Sequence, residues 1–437
     1  MARKIGAIVA LAFFLCTAML FAGGQKESAA TAAANGKITL DFWTENTQPY
    51  QVDMLKTMIA KFEAGNPNIT VNYELVPWSV YLQKFQTALQ TKQTPVVSQL
   101  GTTKMPFFQK ANGLANIDQY VNGSDLAKGI IPAAWYTNKY DGHYFGVPWA
   151  MDVRYTLYRK DWFQKAGIAA PTSWTWQEFL NDAKKLTDAK NNVYGVGAAY
   201  GKSDNTGEQA FWSALCSAGG QVIDSNGKVV LDSPQARQAL QLYVDLLTQD
   251  HVAPPSAPSL SGPDLASLFA NGSIGIIYSN NVSMYAQVIN AQPSLKDAVG
   301  IAPNPSINGK SADFMGGSDL VMWVGHTTPE YDAAWKWIEF LMSPAVQAEY
   351  ALPLVGALPA VNDAFGNSAF LSTLPSMKSY TNVMLDAVKT GVPEPNITQL
   401  PVMESALQQM VNSAALGTSI PQAIQTASQA ISAALGM

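Results

Sequence analysis

Short runs of β-branched and aromatic residues alternate with longer helical patterns along this chain, and this alternation limits the folds that it can adopt. Residues 38–43 alternate as a first strand, and residues 50–63 repeat apolar side chains at helical spacing. A second strand follows at residues 69–75 and a second helix at residues 80–90. A strand, helix, strand, helix opening is typical of a βαβ unit, so the sequence predicts an α/β protein with largely parallel sheets.

The length and charge of the chain bound its organisation. It has 437 residues, too many for a single hydrophobic core, which predicts two domains or lobes. The net charge is -5 and Lys and Arg are not clustered, so we expect no nucleic-acid partner. Of the two cysteines, Cys16 lies in the N-terminal apolar run and Cys216 in the body. An internal disulfide is therefore not expected in the exported protein.

The first 24 residues are predicted to be a signal peptide. Arg3 and Lys4 precede an apolar run at residues 5–21, and small residues follow at 22–24 as a cleavage site. Residues 25–36 are Ala-rich and polar, which predicts a disordered spacer. We therefore expect a periplasmic or other extracytoplasmic location. A lipoprotein anchor is the alternative, but Cys16 stands in a poor lipobox and free secretion is favoured.

The segment at residues 144–187, YFGVPWAMDVRYTLYRKDWFQKAGIAAPTSWTWQEFLNDAKKLT, joins an extended crossing, an aromatic cluster and an amphipathic helix. Trp43 precedes it at the end of the first strand, and FANG at 269–272, GG at 316–317 and AAWKWIEFLMSPAVQ at 333–347 follow it. In this order the motifs resemble the bacterial extracellular solute-binding proteins, the maltose-binding-protein-like sugar receptors of ABC importers. Each motif alone is weak, but the ordered series covers residues 38 to about 435.

The resemblance implies an α/β, two-lobed periplasmic-binding-protein fold of class II, with the ligand cleft between the lobes. By analogy, residues 37–148 and 306–354 form the N-terminal lobe, and residues 149–305 and 355–437 form the C-terminal lobe. The chain is then expected to cross between lobes near Pro148, Pro303 and Gly356.

Sugar recognition needs an aromatic face for the C–H side of the ring and planar polar groups for the hydroxyls. The resemblance, like the general behaviour of open α/β sheets, places such groups on loops after strands. The predicted ligand-binding residues are Trp43, Glu45, Asn46, Thr103, Lys104, Trp149, Asp152, Glu208, Trp212, Asn280, Asn281, Gly316, Gly317 and Ser318.

Several of these residues have a structural alternative. Trp43 could be core packing, and Glu45 a solvated turn residue. Asp152 could form a hinge ion pair with Arg154, and Trp212 could be buried. The glycine pair could be an ordinary turn. Asp152→Ala is expected to weaken ligand binding at least tenfold and to leave melting of the free protein nearly unchanged.

The chain departs from the family pattern at two places, and a further aromatic residue remains open. After Thr94 and Pro95 the family usually has Asp, and here Val96 follows. The final helix, which presents an aromatic to the sugar in several disaccharide receptors, has Met403 and Glu404 in that neighbourhood. Trp78 is a candidate for the cleft mouth.

Enzyme chemistry lacks a recognisable site in the sequence. The three histidines, His143, His251 and His326, are far apart, and no H-E-x-x-H, G-x-S-x-G, Walker or dinucleotide motif is present. We therefore expect no metal, no cofactor and no catalysis. A secreted glycoside hydrolase using Glu45 and Asp152 is the weakest alternative, because such enzymes need a pair of cleft carboxylates.

The sequence thus predicts a monomeric receptor that captures a carbohydrate by lobe closure and delivers it to the permease subunits of an ABC importer. A ligand-binding sensor or adhesin domain is the alternative, as is a polyol or sugar-phosphate ligand. The few basic residues near the expected cleft, Lys104 and Arg154, argue against a phosphate.

Overall fold

The computed structural model describes residues 36–78, 80–351, 357–365, 367–373 and 380–437. The predicted signal peptide, all but the last residue of the predicted spacer, and the predicted crossing at Gly356 lie outside these residues. No helix in the described ranges is both long and apolar enough to cross a membrane.

The strands, numbered in chain order, are β1 Ile38–Thr44, β2 Ile69–Leu75, β3 Val97–Gly101, β4 Lys139–Tyr140, β5 His143–Tyr144, β6 Val147–Val153, β7 Tyr155–Arg159, β8 Tyr194–Gly197, β9 Ile274–Asn280, β10 Val299–Ala302, β11 Asp313–Met322, β12 Leu358–Pro359 and β13 Gly391–Pro393.

The α-helices are α1 Pro49–Gly65, α2 Tyr81–Thr91, α3 Met105–Lys110, α4 Asp118–Val121, α5 Asp125–Gly129, α6 Lys160–Lys165, α7 Trp176–Leu186, α8 Thr206–Ser217, α9 Pro234–Thr248, α10 Gly262–Ala270, α11 Val282–Ala291, α12 Thr328–Leu341, α13 Pro344–Tyr350, α14 Asn362–Phe365, α15 Ser368–Thr373, α16 Thr381–Thr390, α17 Leu400–Ala415 and α18 Ile420–Ala434.

Two main sheets organise the molecule. The larger one has the order β12, β6, β11, β3, β1, β2, with β13 paired to β11, and the smaller one has the order β10, β7, β9, β8. β1 pairs in parallel with β2 and β3, which confirms the predicted βαβ opening. β11, however, is antiparallel to β3 and β6, and β7 is antiparallel to β9 and β10. The sheets are therefore mixed and not largely parallel. β7 and β11 each follow a change of sheet, and each runs antiparallel to the strands just named.

The chain changes sheet at three places. β6 and β7 belong to different sheets and are separated only by Arg154, so the first change comes six residues after the predicted Pro148. The second change lies between β10 and β11, at residues 303–312. The third follows β13, because α17 packs against α8 and α9 beside the smaller sheet.

The predicted lobe boundary at residue 354 does not coincide with a change of sheet. Leu358 and Pro359 pair with Met151 and Ala150 of β6 in the larger sheet. The backbone N–H of Ile131 also donates to the carbonyl of Ala360 at 2.9 Å. Residues 357–360 thus pack with the first lobe, and β13 also belongs to the larger sheet through its pairing with β11. The exact division of the chain into lobes stays a proposal.

Local signals explain most element boundaries. Helix α7 begins after Thr175, whose side chain accepts from the N–H of Glu178 while Glu178 caps Thr175 in return. Thr175 serves as the cap because it has the reciprocal Glu three residues later. Helix α9 begins after Ser233, whose side chain accepts from the N–H of Ala236, and Pro234 occupies the first position.

A large aromatic cluster fills the core of the first lobe. The centre of the Trp337 ring lies 5.0 Å from that of Phe62 and 5.7 Å from that of Phe42, so Trp337 packs in this core. Trp149 is also buried here, with its ring 6.3 Å from Phe42. Trp149 therefore packs on the inner side of the larger sheet and does not face the cleft.

Candidate functional site

A cavity of about 260 Å³ lies between the two sheets and is lined by residues of both lobes. The last residues of β6 and the middle of β11 form its floor, next to the strand crossings. Six predicted ligand residues line it, namely Thr103, Asp152, Asn281, Gly316, Gly317 and Ser318. A cleft between lobes is where a ligand can contact both and so bias their closure.

The glycine pair Gly316 and Gly317 is part of strand β11. Gly317 pairs with Met151 of β6 at a φ of 151°, and a Cβ built on it would lie 2.1 Å from the carbonyl oxygen of Ala150. The glycine therefore lets two strands meet closely under the cleft. The alternative of an ordinary turn does not hold, because both glycines lie within a strand, and both line the cavity.

A polar network across the crossing connects the lobes at the cavity wall. Asp152 forms an ion pair with the buried guanidinium of Arg154 and accepts a hydrogen bond of 2.9 Å from the Asn281 side chain. Arg154 also donates to the Gln209 side chain on α8. Asn281 caps α11 by accepting from the N–H of Met284 at 3.2 Å. Asp152 thus forms the proposed hinge ion pair and also lines the cavity.

A second network holds the first-lobe side of the cleft. Gln99 on β3 donates to the Ser318 hydroxyl at 2.9 Å and accepts from Thr44 at 2.7 Å and from Asn46 at 3.1 Å. Glu45 is buried beside it, and neither of its carboxylate oxygens has a hydrogen-bond partner among the described residues. Burial raises the pKa of Glu45 well above its ordinary value.

Four charged side chains are buried where α8, α17 and the 3₁₀ turn Thr102–Lys104 meet. Lys104 of the first lobe forms an ion pair with Glu404 of α17, and both are almost fully buried. Glu208 and Glu394 lie beside this pair, with their carboxyl groups next to each other. Neither carboxyl accepts a hydrogen bond from any other group of the described residues. Burial, followed by the negative charge of Glu404, raises the pKa of Glu394 to about 8. Burial likewise raises the pKa of Glu208.

The aromatic surface of the cleft comes from Trp78, which the sequence offered as a candidate for the cleft mouth, and from Tyr81, which it did not single out. Trp78 is 49% exposed and lines the cavity with Tyr81, at a ring distance of 4.9 Å. Trp43 instead packs on Phe85 at 5.4 Å in a separate surface groove. The exposure of Trp78 next to polar groups gives a flat apolar face where the cleft opens.

Trp212 also lies outside this cavity. Its indole N–H donates to the carbonyl of Val392 at 3.0 Å, and its ring lines a different cavity beside Cys216. The structure thus places none of the three predicted tryptophans, Trp43, Trp149 and Trp212, in the cleft, because each has a neighbouring element that covers it. Asn280 is buried at the end of β9 and accepts from the backbone N–H of Asn281 at 2.9 Å.

Sequence reasoning missed Gln209, Ser283 and Glu394. Gln209 follows the predicted Glu208, and the helical period decides which of the two faces the cavity. Glu394 follows β13, whose pairing with β11 has no signal in a run of three residues. No group of three or more His, Cys, Asp and Glu side chains in the described ranges is arranged to hold a metal ion.

The two sheets with a cleft between them define a two-lobed binding protein of the maltose-binding-protein-like class. Residues 48–348 match the family described as bacterial extracellular solute-binding protein. The chain therefore belongs to this family of binding proteins.

Three similar proteins show how far the likeness extends. A putative binding protein of Brucella abortus is 29% identical over 366 residues, or 82% of this chain and 85% of the relative. The diacetylchitobiose binding protein of Streptomyces coelicolor is 26% identical over 423 residues, or 93% of this chain and 91% of the relative. A solved ABC transporter solute binding protein of Thermotoga lettingae, bound with α-D-tagatose, has a TM-score of 0.81 and 26% identity, covering 91% of this chain and 100% of that chain.

Proposed function

We propose that this protein is the extracytoplasmic receptor of an ABC importer and that it captures a carbohydrate in the cleft by lobe closure. The observation that carries the proposal is the cavity itself, which combines the exposed ring of Trp78 with the carboxylate, amide and hydroxyl groups of Asp152, Asn281 and Ser318. Such groups match the apolar face and the hydroxyls of a sugar ring. The relatives named above, which bind diacetylchitobiose and tagatose, support the same class of ligand.

The mechanism follows from the contacts on the two sides of the cavity. Thr103 and Ser318 belong to the first lobe, and Gln209 and Asn281 belong to the second. A ligand that touches both sets stabilises the closed arrangement through contacts that an open arrangement cannot make. The energy for transport is then supplied by the importer and not by this chain.

The charges of the cleft oppose a phosphorylated ligand. The cations Lys104 and Arg154 lie near the cavity. Lys104 is already paired with the buried Glu404, and Arg154 with the half-buried Asp152. A phosphate would be repelled by these two carboxylates and would have to displace them from their cations. A neutral sugar or a polyol meets no such repulsion, so a polyol is retained as the second candidate.

The first test is a thermal-shift screen of residues 25–437 against mono-, di- and oligosaccharides, polyols and glycerol phosphates. A saturable rise in melting temperature with one class identifies the ligand, because a ligand that binds only the folded state stabilises it by mass action. Absence of any rise across the sugars and polyols would refute the carbohydrate proposal.

A matched pair of variants locates the binding site. Asp152→Asn keeps an acceptor for Arg154 and Asn281 and removes the charge, and we expect it to weaken sugar binding at least tenfold. Asp232→Asn makes the same change in the exposed pair of Asp232 with Arg237, which lies outside the cleft, and binding should be unchanged. Equal affinity of the two variants would remove Asp152 from the site.

Export and delivery are the remaining parts of the proposal. The N-terminal leader and the membership of an extracellular family support export. We expect the sugar-loaded protein to raise the ATPase activity of its ABC importer reconstituted in vesicles. If sugar binds and no importer responds, the protein is better described as a sensor domain.

A further inference from the structure

The cleft contains a second, larger cavity beside the first. This outer cavity measures about 750 Å³, against about 260 Å³ for the inner one. The two share the side chains of Trp78, Tyr81, Thr103 and Gln209, so they are adjoining chambers of one cleft. The inner chamber reaches the strand crossings, and the outer chamber extends between α2 on one lobe and α17 on the other.

The outer chamber is lined by both polar and apolar side chains, and hydrogen bonds and an ion pair hold its walls in place. Asp204 accepts hydrogen bonds from the backbone N–H of Thr206 at 3.0 Å and of Gly262 at 2.8 Å, which ties the loop before α8 to the start of α10. The ion pair of Lys104 with Glu404 forms part of the same wall and joins the two lobes. The chamber walls therefore come from fixed elements of both lobes, as in a pre-formed binding site.

Trp78 connects the two chambers. Its half-exposed ring lines both of them, so a chain of sugar rings passing from one to the other would lie along it. Tyr81 supports the ring edge-on at 4.9 Å. A single ring in the inner chamber would leave the outer wall and much of the Trp78 face in water.

We infer that the ligand is an oligosaccharide of at least two units, with one ring in the inner chamber and the next in the outer chamber. This inference rests on the proposed function and adds the length of the ligand to it. A second ring gains burial against Trp78 and hydrogen bonds from the outer wall. Most of the cost of restricting the ligand's overall motion is already met by binding the first ring.

The test is isothermal titration calorimetry of the chain from residue 25 with three matched series. They are glucose, maltose and maltotriose; N-acetylglucosamine and its β-1,4-linked dimer and trimer; and mannose and its β-1,4-linked dimer and trimer. In the series that binds, we expect the disaccharide to bind at least tenfold more tightly than the monosaccharide. A monosaccharide that binds as tightly as its dimer and trimer would overturn the inference and leave the proposed function standing. No binding in any series would also overturn the inference, and the screen of sugars and polyols would then decide the proposed function.

Two serine variants separate chamber occupancy from general effects. Ser203→Trp places a bulky ring on an exposed position of the outer chamber wall, and Ser225→Trp makes the same change on an exposed loop outside the cleft. We expect Ser203→Trp to abolish the gain from monosaccharide to disaccharide while monosaccharide affinity stays unchanged, and Ser225→Trp to leave both unchanged. A full gain retained in Ser203→Trp would contradict the inference. The wild-type length series decides it if this variant does not fold.

Discussion

At the scale of single residues, side chains that line the cleft also help to hold the fold together. Asp152 is the clearest case, since its carboxylate faces the cavity and also neutralises Arg154, whose side chain is almost entirely buried. The sequence suggested that Asp152→Ala would leave melting nearly unchanged. The structure changes that expectation, because removal of the carboxylate leaves a buried cation with only the neutral Gln209.

We therefore predict that Asp152→Ala lowers the melting temperature of the free protein by several degrees, whereas Asp152→Asn lowers it much less. The asparagine retains an oxygen that can accept from Arg154 and Asn281. Differential scanning calorimetry of both variants without ligand measures the difference. Equal melting of the alanine variant and the wild type would show that Arg154 finds another partner or reaches water.

A second residue predicts a pH dependence. Asp319 on β11 is fully buried, and burial raises its pKa to about 7 despite hydrogen bonds from Asn138 at 3.0 Å and Thr137 at 3.1 Å. A carboxyl with a raised pKa in the folded state contributes stability below its unfolded pKa of about 4, and this contribution is lost as the pH rises through about 7.

The stability of Asp319→Asn relative to the wild type should therefore increase by about 2 kcal/mol as the pH rises from 5 to 8. The amide cannot ionise and still provides an acceptor for Asn138. Melting temperatures of the two proteins at both pH values give the comparison, with Asp363→Asn, an exposed position on α14, as the control. A difference that is the same at both pH values would show that Asp319 does not titrate in this range.

At the scale of elements, β11 is the strand on which both lobes depend. It pairs with β3, β6 and β13, and its residue Phe314 donates its backbone N–H to the Ser213 hydroxyl of α8 at 2.9 Å. The strand thus links the larger sheet to a helix of the second lobe. Its glycine pair keeps the β6 backbone close at the cleft floor.

Gly317→Ala is predicted to destabilise the protein by several kcal/mol, because the new Cβ would lie 2.1 Å from the Ala150 carbonyl at an unfavourable φ. Gly65→Ala is the matched control, since nothing lies within 4 Å of a Cβ at that exposed position. Melting temperatures and sugar affinities of both variants provide the readout. A Gly317→Ala protein as stable as the control would mean that the two strands can move apart at no cost.

The contact of α17 with the turn Thr102–Lys104 predicts a coupling between the lobes. Lys104→Met or Glu404→Gln alone should cost about 3 to 5 kcal/mol, because each change disrupts a buried charge pair. The double variant should cost less than the sum of the two. The exposed pair of Lys389 with Asp386 is the control, and its coupling should stay below about 1 kcal/mol. Additive losses at Lys104 and Glu404 would show that the pair does not act as a unit.

At the scale of the whole molecule, two sheets joined by three short crossings favour relative motion of the lobes over deformation within them. Each lobe has large buried apolar clusters, whereas the cleft between them contains many polar groups, including Asp152, Asn281 and Asp204. Domains in contact through polar surfaces are expected to move relative to each other. We therefore expect ligand contacts on both walls of the cleft to determine how far the two lobes close.

Small-angle X-ray scattering should show a smaller radius of gyration after addition of the sugar found in the screen. The ligand shifts the population toward the closed form in proportion to its differential affinity for that form. Asp152→Asn should require a correspondingly higher sugar concentration for the same change. Tight binding without any change in the scattering curve would exclude closure as the mechanism.

The sequence by itself determined the class of fold, the order of the main elements and the family. Strand and helix patterns depend on neighbouring residues, so β1, β2, α1 and α2 could be predicted from local spacing. Six of the predicted ligand residues line the cavity for the same reason, since each follows a strand or belongs to a motif of the family.

The tertiary structure alone decided which side chains face the cleft. Trp43, Trp149 and Trp212 each suit a sugar face by residue type, but α2, the first-lobe core and β13 cover them, and the half-exposed Trp78 remains at the cleft. Glu394 and the pairing of Lys104 with Glu404 depend on contacts between residues as much as 300 positions apart. A local pattern does not encode such contacts, because they depend on how whole lobes pack against each other.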